Sequence, residues 1–225
     1  MSPRLAYAGF MLLAAAIFLL ARRCFPPLER LPRGERFALA GSAFVGGVIG
    51  AKLPFAIRDG LTDESAWLAD GKTIVTALIG AYLAVEVIKR FLRIRTSTGD
   101  GYAIPLALAL GVGRWGCFFN GCCYGTECDL PWGTDFGDGI ARHPTQAYES
   151  LFHFTMAGIL IGLAGRDRLR DHRLQFYLIA YSIYRFATEF IRPEPVALAG
   201  LTFYQWACVS LGLGLAAQWA VRRPK

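Results

Sequence analysis

The chain has 225 residues, of which 54% are hydrophobic and 18% charged, and its mean hydropathy is +0.37. Since soluble domains carry about 25% charged residues, this composition favours an integral membrane protein and argues against a soluble domain. The net charge of +7 does not call for a nucleic-acid partner, because arginine in a membrane protein commonly marks cytoplasmic loops. We expect one transmembrane domain over residues 1–225, without internal repeats.

Seven stretches approach the length of about 20 apolar residues that a membrane helix needs. In chain order they are Leu5–Ala21, Phe37–Ile57, Thr73–Ile88, Ala103–Phe119, Tyr148–Ala164, Leu174–Ile191 and Gly200–Val221. The first stretch lacks a small-residue cleavage site and is followed by Arg22 and Arg23, so it reads as a retained helix and not as a signal peptide. The predicted fold is all-α: a polytopic membrane helical bundle of about seven transmembrane helices.

Lysine and arginine alternate between the predicted loops. The N-terminal tail and the six loops hold one, five, one, four, one, four and one basic residues, and the C-terminal tail holds three. By the positive-inside rule this places the N-terminus outside and the C-terminus in the cytoplasm. Residues 120–146 then form a small loop region on the outer side.

Four further basic residues, Lys52, Lys72, Arg114 and Arg185, fall inside or at the edge of a span. A charge at mid-membrane costs a few kcal/mol, so it usually faces a partner or a polar cavity. Snorkelling to the interface is an equal alternative for Lys52 and Lys72. For Arg114 and Arg185 a functional cluster is favoured, because each lies within a dense polar stretch.

Two such stretches stand out. The first runs from Gly111 through Arg114 and the outer loop to Glu149. The second places Tyr181, Arg185, Glu189 and Arg192 at intervals of four, four and three residues, and therefore on one helical face. Arg185 and Glu189 could merely neutralise each other. The functional alternative is anion binding, because the arginine fork holds phosphate bidentately, and two or three arginines that open outward would fit a lipid headgroup.

The two stretches resemble the signatures of the bacterial prolipoprotein diacylglyceryl transferase family. The first signature is matched by Gly113, Arg114, Gly116, Phe118, Asn120 and Gly121, and the following loop by residues 131–133 and 142–149. The later helical signature is matched by Tyr181, Arg185, Phe186, Glu189, Phe190 and Arg192. The stretch from Gly71 and Lys72 to Gly80 is similar to the family's glycine-rich entry to the third span.

This resemblance implies a seven-span transferase of the bacterial inner (plasma) membrane. Such an enzyme moves a diacylglyceryl group from phosphatidylglycerol to the lipobox cysteine thiol of a lipoprotein precursor, and it uses no cofactor. The implied catalytic residues are Arg114, Arg185 and Glu189, with Glu189 in an orienting role. The implied substrate-binding residues are Asn120, His143, Gln146, Tyr148, Glu149, Tyr181 and Arg192.

Three positions depart from the family pattern. Cys117 replaces an asparagine, Cys122 replaces a glutamate, and Val75 replaces a histidine that is a proposed base for the acceptor thiol. Thiol attack on carbon still requires a thiolate, so the pKa of the thiol, ordinarily about 8.5, must be lowered. Neighbouring arginines could supply that field, and Glu149 could act as a substitute base.

Four cysteines, Cys117, Cys122, Cys123 and Cys128, fall close together in the outer loop region. No pair has the Cys-x-x-Cys spacing of a structural zinc site, so the sequence predicts no metal centre. An oxidising outer compartment favours a disulfide of Cys122 or Cys123 with Cys128. Packed thiols are a close alternative, and a metal-binding or catalytic thiol is a more distant one.

Two other functions remain open at this point. One is a paralogue that uses the same phospholipid donor with a different acceptor. The other is a non-catalytic membrane protein, either a lipid-binding subunit or a thiol-redox partner that uses the cysteine cluster.

Overall fold

The computed structural model describes residues 2–26, 31–59 and 73–221, with the side chains of the middle range described up to residue 57. Within these ranges seven α-helices account for most of the chain. They are α1 (Pro3–Cys24), α2 (Arg33–Asp59), α3 (Ile74–Phe91), α4 (Asp100–Phe119), α5 (Thr145–Gly165), α6 (Arg173–Thr188) and α7 (Phe203–Val221). A 3-10 turn, Glu189–Ile191, continues α6. The strands are β1 (Thr134–Asp135), β2 (Ala141–Arg142), β3 (Val196–Leu198) and β4 (Leu201–Thr202), which pair as two short antiparallel hairpins.

Four of these helices are long and apolar enough to cross a membrane: Pro3–Cys24, Arg33–Ile57, Asp100–Phe119 and Thr145–Gly165. Many large apolar side chains lie on the bundle surface; Leu12 and Phe44, for example, are each 73% exposed. So wide an apolar surface would be costly in water. The chain is therefore a helical membrane protein. The predicted all-α class is confirmed at this level.

α4 lies at the centre of the bundle and runs antiparallel to α1. At one end Arg22 donates a hydrogen bond to the carbonyl of Gly101 over 2.8 Å, and at the other end the rings of Phe10 and Phe119 stack 5.3 Å apart. The opposite side of α4 packs on α5, and α6 and α7 pack together. The buried core is formed where α4, α5, α6 and α7 meet, by residues such as Ala107, Leu160, Tyr177, Leu178 and Leu215.

Small residues let α2 and α3 approach until their backbones touch. A Cβ added to Gly50 would collide with the carbonyl oxygen of Thr76, and one added to Gly80 would collide with that of Gly46. Close glycine contacts of this kind are typical of helix pairs in membranes. Gly80 therefore has a packing role, whereas Gly71 and Lys72, from the same predicted motif, lie outside the described residues.

Several helices begin before the predicted starts of their spans: α2 begins at Arg33, four residues before Phe37, and α4 begins at Asp100, three residues before Ala103. α5 begins at Thr145, three residues before the predicted start. The last span does not begin at Gly200, because Ala199 (φ 51°) and Gly200 (φ 75°) form the two-residue turn between β3 and β4. Positive φ at both central positions is the geometry of a type I′ hairpin turn, and hydropathy gives no sign of it.

The predicted outer loop region, 120–146, is compact. The Asp135 carboxylate accepts hydrogen bonds from the backbone N–H groups of Gly137, Asp138 and Gly139, which closes the turn between β1 and β2. Arg142 forms a bidentate ion pair with Asp138, and this side-chain contact also closes the turn. The result is a folded cover at the end of the bundle where α4 finishes and α5 begins.

Candidate active site

The carboxylate of Glu149 is the centre of a buried polar network at this end of the bundle. Its Oε1 accepts hydrogen bonds from Arg114 Nη2 over 2.5 Å and from the Tyr181 hydroxyl over 2.6 Å. Its Oε2 accepts one from Arg192 Nη2 over 3.1 Å. Glu149 is fully buried, so its charge is maintained by these cationic neighbours, because an isolated carboxylate at such depth would be very costly.

The partners of Glu149 come from three separate elements: α4 supplies Arg114, α6 supplies Tyr181, and the segment after the 3-10 turn supplies Arg192. The loop after α4 brings the last of these into place. Gly125 N–H donates to the carbonyl of His143, and Thr126 N–H donates to the carbonyl of Ile191, both over 2.8 Å. Gly125 is required there, since an added Cβ would lie 2.8 Å from the Cβ of His143.

A second buried ion pair lies at the end of α6. Arg185 donates to Glu189 Oε2, and Glu189 Oε1 accepts a hydrogen bond from the Thr202 hydroxyl over 3.0 Å. Gln205 in turn holds Thr202, because its side-chain oxygen accepts from the Thr202 backbone N–H over 2.9 Å. Sequence reasoning did not single out Thr202 or Gln205, which come from the hairpin and the start of α7.

The three arginines and two glutamates together carry one surplus positive charge. Two guanidinium nitrogens, Arg114 Nε and Arg192 Nε, are buried and have no hydrogen-bond partner among the described residues. A buried donor left unpaired is costly unless a ligand completes it. The network therefore has both the charge and the free donors to receive one monoanionic group.

The sequence favours a functional cluster for Arg114 and Arg185, in which two or three arginines bind a lipid headgroup. The structure places Arg114 and Arg185 at the same end of the bundle, but each is held by its own glutamate. Arg185 nevertheless acts electrostatically on Glu149 together with Arg114 and Arg192, so the two ion pairs belong to one charged cluster. A cavity of about 320 Å³ lies elsewhere, between residues such as Arg36, Lys89, Gly99 and Leu174 at the opposite helix ends.

His153, which is not among the predicted site residues, borders the network. It is fully buried on α5, its Nδ1 lies 2.8 Å from the Tyr177 hydroxyl, and its Nε2 lies 3.8 Å from Glu149 Oε1. The spacing of four residues from Glu149 on one helix could have indicated this proximity.

Other predicted binding residues occupy the rim of the network. His143 Nδ1 lies 3.4 Å from the Tyr148 hydroxyl, which accepts a hydrogen bond from Trp132 Nε1 over 2.8 Å. Gln146 is fully buried and donates to the carbonyl of Cys122 over 2.7 Å. Asn120 is exposed at the C-terminal end of α4.

In the structure all six cysteines are free, and the disulfide of Cys128 with Cys122 or Cys123 stays a prediction. The sulfur atoms of Cys117, Cys122 and Cys123 lie within 4.8 Å of one another, and Cys128 is outside this group. The reason is the chain reversal at the end of α4, which turns Cys122 and Cys123 back towards Cys117. Hydrogen bonds with the thiols of Cys117 and Cys122 lower the pKa of the Cys123 thiol.

Fold and site together define a helical membrane protein with a buried cationic centre at one end of its bundle. The comparison with protein families then identifies the family to which this membrane protein belongs. A family model for prolipoprotein diacylglyceryl transferase matches residues 5–221, nearly the whole chain, so the protein belongs to that family. The family predicted from the sequence signatures is confirmed.

Individual relatives agree with this assignment. The chain is 33% identical to the phosphatidylglycerol–prolipoprotein diacylglyceryl transferase of Clostridium tetani, over 71% of this chain and 69% of the relative. It is 33% identical to that of Geobacter sulfurreducens, over 73% of this chain and 66% of the relative. It is 31% identical to the second such enzyme of Clostridium perfringens, over 70% of this chain and 66% of the relative. The chain thus spans about two thirds of the length of these relatives.

Replacing Glu149 with glutamine tests whether this carboxylate organises the site. Glu149→Gln keeps the shape but removes the charge that neutralises Arg114 and Arg192, and breaking a buried ion pair costs about 3–5 kcal/mol. We expect a clear loss of stability in detergent-solubilised protein, measured by thermal or denaturant unfolding. The exposed Glu127→Gln is the matched control and should change little. Equal stability of the two variants would show that Glu149 does not hold the network together.

Proposed function

We propose that the protein transfers the diacylglyceryl group of phosphatidylglycerol to the cysteine thiol of a prolipoprotein. Its family and the names of its relatives support this donor and this acceptor. The observation that carries the proposal is the buried cationic cluster, whose single surplus charge and two unpaired guanidinium donors suit a phosphodiester.

In this proposal the donor phosphate binds beside Arg114 and Arg192, the arginines whose Nε groups are unpaired. When the thiolate sulfur of the acceptor attacks the glyceryl carbon, the bond from that carbon to the phosphate oxygen breaks. Negative charge then develops on the leaving glycerol phosphate. Preorganised guanidinium donors in a water-poor site stabilise such charge strongly.

Arg185 contributes to the same field, and Glu189 orients it through their ion pair. Glu149 positions Arg114, Arg192 and Tyr181 rather than acting as a base, because its ion pairs with the two arginines stabilise the carboxylate against protonation. Asn120, His143 and Tyr148 are proposed to shape the rim through which substrate enters. Gln146 is proposed to hold the loop beside that rim through its hydrogen bond to the Cys122 carbonyl.

We also propose that all seven helices span the bacterial plasma (inner) membrane, with the N-terminus outside. The alternation of basic loops and the antiparallel course of α1 and α4 support this topology. At 16 residues α6 is short for a span, but the 3-10 turn after it lengthens it. The cationic cluster then lies near the outer face, where a secreted precursor arrives.

Reporter fusions test this topology. A reporter joined after Arg95 or after Arg170 should show cytoplasmic activity, since both positions follow or lie within arginine-rich loops. A reporter joined near Asp138 should show exterior activity. Cytoplasmic activity at Asp138 would contradict the proposed orientation of the site.

Arginine-to-lysine variants test the transferase proposal. Arg114→Lys and Arg185→Lys keep the positive charge but lose the planar fork, so a site that binds phosphate through guanidinium groups should be badly impaired. We expect the rate of diacylglyceryl transfer from phosphatidylglycerol to a lipobox peptide to fall about 100-fold or more, as when one preorganised donor is lost.

Arg170→Lys is the matched control, because Arg170 is exposed and lies at the other end of the bundle. Unfolding curves of all three variants separate loss of activity from loss of structure. Transfer at wild-type rates by both Arg114→Lys and Arg185→Lys would show that these arginines are structural.

A further inference from the structure

The end of α4 brings two cysteine side chains together through its helix cap. Gly121 N–H donates to the carbonyl of Phe118, and Cys122 N–H donates to that of Cys117, with Gly121 at a φ of 63°. This pair of bonds is the Schellman motif, in which the third residue from the helix end and the second residue beyond the cap come into contact. Here those two positions are occupied by Cys117 and Cys122.

Cys123 then turns back to join them. Its φ of 66° is left-handed, a conformation that a non-glycine residue adopts only when its surroundings impose it. The surroundings are the first residues of α5. Thr145 Oγ1 donates to the carbonyl of Cys123 over 2.6 Å, and Gln146 Nε2 donates to that of Cys122 over 2.7 Å. Both of these side chains are almost completely buried, so the cysteine loop is held rigidly.

The resulting three sulfur atoms have the spacing of a metal site. They lie within 4.8 Å of one another, and those of Cys122 and Cys123 are 3.9 Å apart. Zinc–sulfur bonds of about 2.3 Å place sulfur ligands about 3.8 Å apart around a tetrahedral ion. A disulfide would use only two of the three thiols, whereas a metal ion uses all three.

The three thiols are placed so that a bound ion would have an open coordination position that substrate can reach. Among the described residues no further histidine, cysteine or carboxylate joins the three thiols, so a tetrahedral ion would keep one open position, as catalytic zinc sites do. Cys123 is exposed, which gives that position access from outside. Arg114 Nη1 lies 4.0 Å from the sulfur of Cys117, so the ion would lie beside the cationic cluster where the donor phosphate is proposed to bind.

We propose that Cys117, Cys122 and Cys123 bind a Zn²⁺ ion whose open position receives the thiol of the acceptor cysteine; the role of the ion rests on the proposed transferase function. A thiol that coordinates zinc gives up its proton. The site needs such activation, since Glu149 and Glu189 are stabilised as carboxylates by their ion pairs with arginines and are therefore weak bases for that proton.

The step balances without an oxidant or reductant. The acceptor thiol releases its proton to solvent as its sulfur binds zinc. That sulfur then forms a bond to the glyceryl carbon, while the bond from this carbon to the phosphate oxygen breaks and the oxygen keeps the electron pair. The product thioether is neutral and a weaker ligand than a thiolate, so it leaves the ion, and the phosphate departs from beside Arg114.

Metal binding is tested first, on the full-length protein in detergent and without activity as a readout. After chelation, titration with Co²⁺ as a spectroscopic stand-in for zinc should give one equivalent of bound metal with thiolate-to-cobalt charge-transfer absorption, and Zn²⁺ should displace it. Cys117→Ser, Cys122→Ser and Cys123→Ser should each weaken binding at least 100-fold. Cys128→Ser and Cys208→Ser are the matched controls and should bind as the wild type does.

A lipobox peptide tests the open position. Its cysteine should intensify the thiolate–cobalt absorption as a fourth sulfur enters, whereas the same peptide with serine should not. Absence of cobalt absorption in chelated, reduced wild-type protein overturns the proposal, and so does retention of copper in place of zinc. A disulfide among the three cysteines in freshly isolated membranes, detected by alkylation before and after reduction, also overturns it.

Transfer assays then separate this proposal from the transferase function. Equal transfer by metal-free and zinc-loaded protein would overturn the metal proposal and leave the transferase function intact. A cobalt spectrum that responds to the peptide thiol, with no transfer under any condition, would support the metal site and contradict diacylglyceryl transfer. Loss of transfer on chelation with recovery on addition of Zn²⁺ is the result that we expect.

Discussion

The ion pairs of Glu149 are the interaction on which the rest of this structure depends. An arginine within a membrane helix bundle requires a partner, and here one carboxylate accepts hydrogen bonds from Arg114, Arg192 and Tyr181, which come from three different elements. Because these elements are distant in sequence, the network fixes α4, α5 and α6 relative to one another. It also leaves one positive charge over, and that surplus is what a phosphodiester would neutralise.

The packing of the other elements positions the arginines that pair with Glu149. α4 carries Arg114 and is held between α1 and α5, and the compact loop after it reaches across to the segment that bears Arg192. Thr202 donates a hydrogen bond to the second carboxylate, Glu189, and Gln205 in turn holds Thr202. Stability and chemistry thus draw on the same buried groups, so a substitution among them should affect both.

The sequence predicted the helical class, the family and most residues of the network. It could do so because apolar length, basic loops and the spacing of Tyr181, Arg185 and Glu189 are all local signals. It could not predict that Glu149 lies at the centre or that Arg114 pairs with it, because those contacts join residues 32 or more positions apart. The pairing of Arg185 with Glu189, by contrast, follows from their spacing of four residues on one helical face. The grouping of Cys117 with Cys122 and Cys123, and not with Cys128, depends on helix-cap geometry that spacing alone does not reveal.

The central claim is that this buried cluster supports diacylglyceryl transfer in a cell. The most direct measurement is complementation of a bacterial strain depleted of its own transferase, with the mass of a reporter lipoprotein as readout. The account predicts growth and a reporter whose lipobox cysteine carries a diacylglyceryl group. Accumulation of unmodified precursor, in cells whose membranes contain the correctly inserted protein, would contradict it.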